Sequence, residues 1–141
     1  FEAVGKKYWE KYFDIVSNSL INSGKAALQI ITIDEKRSLN YQNQPDFIQQ
    51  YIFPGGMLPT KKELLEINNK AGLDFKEIKS FGLSYAKTLN LWNTQFQNSW
   101  NDLVKLGFNH RFKRMWEFYL AYCETGFISK STDVSHFLIT K

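Results

Sequence analysis

From Phe112 to Phe127 the chain reads FKRMWEFYLAYCETGF, and its large apolar positions recur at steps of three and four. Phe112, Met115, Trp116, Tyr119, Leu120, Cys123 and Phe127 therefore share one face of a helix, with Phe118 and Tyr122 forming a second strip. Lys113, Arg114, Glu117 and Glu124 are left as the main polar contacts, so such a helix must be covered on most sides. Periodicity alone leaves two coverings open: an aromatic core, or the wall of a site for something apolar.

The same reading extends along the chain. Tyr8, Trp9, Tyr12, Phe13, Val16 and Leu20 mark an amphipathic helix ended by Asn22-Ser23-Gly24. Residues 25–33 (KAALQIITI) predict a strand buried on both faces. A polar stretch covers 34–44, and Phe47, Ile48, Tyr51 and Ile52 suggest a short helix broken by Pro54, Gly55, Gly56 and Pro59. Thr60 followed by Glu63 forms a capping-box pattern for a helix running to Lys70. Residues 73–81 alternate apolar and polar with Ile78 out of phase, a long helix is expected from Tyr85 to about Leu106, and 134–140 reads as a final edge strand. Helix, glycine and buried strand together indicate an α/β sheet.

Composition sharpens this only in places. The 141 residues allow a single domain, and 16 % are aromatic, enough ring area for a substantial core. The formal charge of +4 is gathered at Lys6, Lys7 and Lys11, at Lys61 and Lys62, and at His110, Arg111, Lys113 and Arg114, patches that suit an anionic surface. One cysteine, Cys123, excludes an internal disulfide framework and fits a reducing compartment. No apolar run approaches the roughly 20 residues of a spanning helix, and no signal peptide is recognisable; a cytoplasmic location is expected. His110, His136 and Cys123 lack ligand spacing, so no metal is expected. There is no GxGxxG loop, no nucleophile elbow and no nucleic-acid module.

Five segments in order carry a resemblance: FEAVG (1–5), LQIITI (28–33), FIQQYIFPGGMLPT (47–60), FGLSYAKTLNLW (81–92) and FKRMWEFYLAYCETGF (112–127). Together they resemble the cyclopropane-fatty-acyl-phospholipid synthases and mycolic acid cyclopropane synthases, over essentially the whole chain. The resemblance implies an α/β class I methyltransferase (Rossmann-like) fold with a large helical insertion, of which residues 1–141 are the C-terminal portion. The expected layout is a strand at about 25–33, a helical lid at about 45–70 and 85–127, and strands at about 73–81 and 134–140. The N-terminal cofactor-binding half is expected to be absent, so this portion by itself is expected to be inactive.

The implied activity is methylene transfer from S-adenosylmethionine, held mostly outside this chain, to cis double bonds of phospholipid acyl chains. Relatives add a methyl branch instead. A non-catalytic lipid- or partner-binding module is the alternative from another class. The resemblance also implies bicarbonate as a base, held by Glu2, Gln29, the Ile31 backbone and Tyr85, with Glu2 and Tyr85 catalytic. Gln29, placed at a strand end, donates but cannot titrate. Tyr51, Phe53, Trp116 and Tyr119 are the candidate acyl-channel walls. The expected partners are membrane phospholipid acyl chains and the anionic inner face of the membrane, with a possible homodimer and no nucleic acid.

Overall fold

The computed structural model describes all 141 residues. Two 3-10 turns, Glu2–Val4 and Lys6–Tyr8, lead into α1 (Trp9–Ser19). There follow β1 (Lys25–Ile33), α2 (Glu35–Asn43), α3 (Phe47–Tyr51), α4 (Lys61–Lys70), β2 (Asp74–Ser80), α5 (Gly82–Asn98), α6 (Trp100–Lys105), α7 (His110–Ile128) and β3 (Thr132–Thr140). The strands form one sheet in the order β1-β3-β2, with β3 antiparallel to both neighbours. β1 and β2 thus run parallel to each other without touching.

This order corrects two expectations. β3 is the central strand, not an edge, because β1 and β2 pair with its two sides, and both its faces are covered: Val134 faces one layer while Phe137 and Ile139 face the other. β1 is an edge, and only Ile30, Thr32 and Ile33 are buried; Lys25, Ala27 and Gln29 are exposed. Its apolar run feeds a two-sided core over the C-terminal half alone.

Each face of the sheet carries its own core. On one side Phe13 of α1, Leu64 of α4 and Leu73 meet Ile30, Phe137 and Ile139, and Phe75 stacks on Phe137 at 4.6 Å. On the other, Ala86 and Leu89 of α5 and Leu120 and Phe127 of α7 pack over Val134, with Ile31 beside them. Each fully buried aliphatic or aromatic side chain contributes about 1.5–3 kcal/mol, so these two layers fix the sheet between α1–α4 and the α5–α7 hairpin.

Local chemistry explains the boundaries. The Thr60–Glu63 capping box is complete, with Glu63 N–H on Thr60 Oγ1 at 3.0 Å and Thr60 N–H on Glu63 Oε2 at 2.9 Å. α4 so started sends Leu64 into the sheet core. The polar stretch 34–44 contains α2, started by Asp34 accepting from Lys36 N–H; it has almost no apolar stripe to announce it. The long helix from Tyr85 breaks at Ser99 into α5 and α6, where Asn98 and Ser99 compete poorly for helix. Ile78 is out of phase because the β2–β3 register shifts between Glu77 and Lys79, a bulge.

Candidate functional site

Glu2 is fixed from three directions. The Phe1 ring is wedged among Trp9, Tyr12 and Phe13, with centroids 5.2–5.5 Å away. The Glu2 carbonyl accepts from Met57 N–H at 3.1 Å. Its carboxylate reaches the open edge of β1, where Oε1 accepts from Ile31 N–H at 2.6 Å, a short charge-assisted bond. Ile31 and Ile33 turn their N–H groups away from β3; Glu2 takes the first and the Pro59 carbonyl, at 2.9 Å, takes the second.

Two sequence motifs meet here backbone to backbone. Gly5 has φ +74°, and a Cβ on it would lie 3.0 Å from the Gly55 carbonyl oxygen; a Cβ on Gly56 would meet the Phe53 carbonyl at 3.1 Å. FEAVG and YIFPGG are thus two halves of one contact that only glycine permits. Next to it, Lys6 Nζ donates to Gln42 Oε1 and to Glu63 Oε1, both at 2.7 Å, tying the Glu2 segment to α2 and α4. Burial acts to raise the Glu63 carboxyl, but Lys6 and the Thr60 donors outweigh it and hold it below its ordinary range.

Tyr85 lies in the first turn of α5, its ring 5.2 Å from Phe127 and 6.0 Å from Trp92, in the same layer as the Ile31 side chain. Its hydroxyl has no hydrogen-bond partner within the chain. Glu2 is thus bound to the Ile31 backbone, while Tyr85 packs against the same core cluster as the Ile31 side chain. α5 can start so close to the sheet because Gly82 carries no Cβ, which would fall 2.7 Å from Asp133 Oδ1. Asp133 binds Gly82 N–H at 3.2 Å, Ser80 Oγ at 2.7 Å and Lys61 Nζ at 3.0 Å. Burial opposes its ionisation, yet Ser80 and Lys61 keep its carboxyl low. Sequence reasoning missed this hub, since nothing local to the SKSTD turn signals it.

The remaining candidates divide. Phe53 sits edge-on to Tyr119 at 6.2 Å, and Tyr119 is 4.9 Å from Trp116. Burial pushes the Tyr119 hydroxyl up to about 12, with Cys123 and Tyr85 adding to it, and pushes the Cys123 thiol up to about 11 against a hydrogen bond from Tyr119. Phe53, Tyr119 and Trp116 thus form one apolar group, and Trp116 and Tyr119 pack against the same cluster as Tyr85. Tyr51 is 61 % exposed, its ring 5.4 Å from Phe47. Gln29 is mid-strand, not at a strand end, and exposed; its Oε1 lies 3.2 Å from His136 Nε2 across the ladder. The Ile31 N–H, expected to face an anion, is taken by Glu2.

A groove of about 820 Å³ lies elsewhere, beyond the C-terminal end of β1 among Lys36, Lys61, Lys79 and Asp133. It is open to solvent and lined mostly by polar residues, and none of the candidate residues lines it. No helix is long and apolar enough to cross a membrane.

Comparison with known proteins agrees with this architecture. A family model described as mycolic acid cyclopropane synthetase matches residues 1–137. The tuberculostearic acid methyltransferase UfaA1 of Mycobacterium tuberculosis is 40 % identical over 94 % of the chain and 31 % of its own length. The cyclopropane-fatty-acyl-phospholipid synthase of Escherichia coli K12 is 32 % identical over 95 % of the chain and 34 % of its own length. Among solved structures, mycolic acid cyclopropane synthase CmaA1, complexed with SAH and CTAB, superposes with a TM-score of 0.89 at 26 % identity, over all of this chain and 52 % of that one. The chain thus spans about a third of the length of these curated relatives and about half of the solved one. Its sheet and helices are those of the C-terminal part of a Rossmann-like methyltransferase fold.

Proposed function

The chain belongs to the mycolic acid cyclopropane synthetase family, and from that membership we propose that it furnishes the lipid-acceptor side of an S-adenosylmethionine-dependent methyltransferase. The proposed reaction is methylene transfer to cis double bonds of phospholipid acyl chains. The observation that carries the reading is the Glu2 carboxylate on the Ile31 N–H at 2.6 Å, with Tyr85 and its free hydroxyl packed against the same core cluster as the Ile31 side chain. The residues of this chain do not fit the cofactor itself. No glycine-rich turn joins a strand to a helix, and Gly55 and Gly56 are taken up by contacts with Gly5 and Phe53.

The acceptor side has a defined task. An alkene that takes up a methyl group becomes electron-poor at one carbon, and ring closure then requires loss of a proton. A charged group serves there only if its lone pairs and donors are matched, since an unpaired buried charge is costly. Glu2 supplies one oriented acceptor and Tyr85 one free donor, a set that fits a small hydroxylated anion such as bicarbonate, which supplies basicity when bound. Ile31 then acts through Glu2 by fixing its carboxylate. Phe53, Trp116 and Tyr119 would exclude water and align the acyl chain, and anionic phospholipid at a membrane surface would be the source of substrate. Gln29 and Tyr51 have no part in this arrangement.

A second reading, a methyl branch in place of the ring, is favoured by the higher identity to the relative named as a methyltransferase. Product analysis separates them. The full-length protein incubated with S-adenosylmethionine and vesicles of monounsaturated phospholipid is expected to yield acyl esters heavier by one methylene. Ring and branch then have the same mass, because loss of a proton without a reductant leaves either a cyclopropane or an exocyclic methylene. Cyclopropyl protons in the NMR spectrum would assign the ring, vinylic methylene protons the branch, and unmodified esters would contradict both.

A further inference from the structure

The basic clusters meet different fates in the fold. Lys6 is bound to Glu63, Lys61 to Glu77 and Asp133, and Lys62 approaches Glu66 at 4.0 Å. Near α7, Lys105 is bound to Asp102 and Lys113 approaches Glu117 at 3.6 Å. Arg111 and Arg114 are exposed and have no carboxylate partner. Among residues 102–114 Asp102 is the single carboxylate, against Lys105, Arg111, Lys113 and Arg114.

The same corner is apolar at its tip. Every residue from Val104 to Arg111 is exposed, with Leu106 at 75 % and Phe108 at 40 %. It is nevertheless a built turn. Gly107 has φ +94°, Gly107 N–H bonds the Val104 carbonyl at 3.0 Å, and Asn109 caps α7 through Phe112 N–H. Behind the tip, rings follow one another inward. Phe108 lies 4.6 Å from Phe112, Phe112 stacks 5.6 Å from Trp116, and Trp116 lies 4.9 Å from Tyr119.

We propose that the α6–α7 corner docks on the surface of an anionic phospholipid bilayer, with Leu106 and Phe108 entering the acyl boundary and Arg111 and Arg114 at the phosphates. Apolar tips ringed by cations are what an interfacial anchor requires: apolar burial holds depth, and each basic side chain adds attraction to anionic lipid. A nucleic acid would account for the arginines but not for the two exposed apolar side chains that precede them. The ring series from Phe108 to Tyr119 then leads from the bilayer toward Tyr85; that second part, the route of the acyl chain, rests on the function proposed above.

Flotation tests the docking. The protein is mixed with vesicles of phosphatidylcholine, alone or with an equal part of phosphatidylglycerol. It is expected to float with the anionic vesicles and to be partly released by salt. Arg111→Gln with Arg114→Gln is expected to weaken that binding about thirtyfold, and Leu106→Ser with Phe108→Ser about tenfold. Lys36→Gln with Arg37→Gln, far from the corner, should leave it intact, and circular dichroism should show all variants folded. Binding that survives the corner substitutions, binding lost equally in the distant control, or no flotation at all would overturn the proposal. So would self-association without lipid that the Leu106 and Phe108 changes abolish, since the corner would then join two copies. Methyl transfer by the unmodified protein to detergent-dispersed lipid reports separately on the chemistry, so failure of docking and failure of the proposed reaction are distinguishable.

Discussion

Gly5 shows how much a missing methyl group positions. Its φ of +74° and the 3.0 Å approach to the Gly55 carbonyl leave no room for a side chain, and the strain of a non-glycine residue there is about 1–3 kcal/mol. Gly5→Ala is therefore expected to lower unfolding free energy by about that amount in urea titration and to loosen the loop whose Met57 N–H holds the Glu2 carbonyl. An unchanged urea midpoint would show that the two backbones part at no cost. At this scale the sequence was informative about residue types and poor about pairings. Glu2 and Tyr85 were nameable from the words around them. The contact of Gly5 with Gly55 joins positions fifty apart and has no local signature, and Gln29 was misplaced because a strand edge and a strand end look alike in one dimension.

The elements that depend on local patterning were readable: the capped start of α4, the aromatic stripe of α7, and the three strands. What required tertiary information was their order. β3 lies between β1 and β2, pairing with both and sending Val134 into one layer and Phe137 and Ile139 into the other, and α2 forms on a cap and one buried serine, Ser38. The N-terminal turns are joined to α2 and α4 by the Lys6–Gln42–Glu63 cluster, and that junction has a pH signature. Glu63 and Asp133 have folded-state carboxyls below their ordinary values of 4.5 and 3.8. The unfolded chain thus binds more protons as pH falls through this range, and stability is complete above it and lost below. Urea midpoints are expected to be level near neutrality and to fall on acidification below about pH 4.5. Lys6→Met, which removes the cation that depresses Glu63, should flatten that fall. An equally steep acid limb in the variant would place the dependence elsewhere.

Across the whole molecule the two faces of the sheet divide the labour. The α1–α4 face is a closed core, while the α5–α7 face combines core with an apolar group that extends through Tyr119 and Trp116 to the exposed corner at Leu106 and Phe108. Glu2 reaches β1 at the junction of these regions, held by the loop that carries Phe53. Neither the free edge of β1 nor the pairing of Lys6 and Lys61 was visible in the composition, which is why three basic clusters looked alike in the sequence, whereas in the fold Lys6 and Lys61 are paired and Lys7, Lys11, Arg111 and Arg114 are not. The claim on which the rest depends is that the Glu2 carboxylate serves the reaction and not the fold alone. The direct test is the rate of acyl-chain modification by the full-length protein and its Glu2→Gln variant, with melting temperature and vesicle binding measured in parallel. The account predicts a loss of about a hundredfold or more in rate while the variant stays folded and lipid-bound; a folded, lipid-bound variant that modifies acyl chains at the unmodified protein's rate would contradict it.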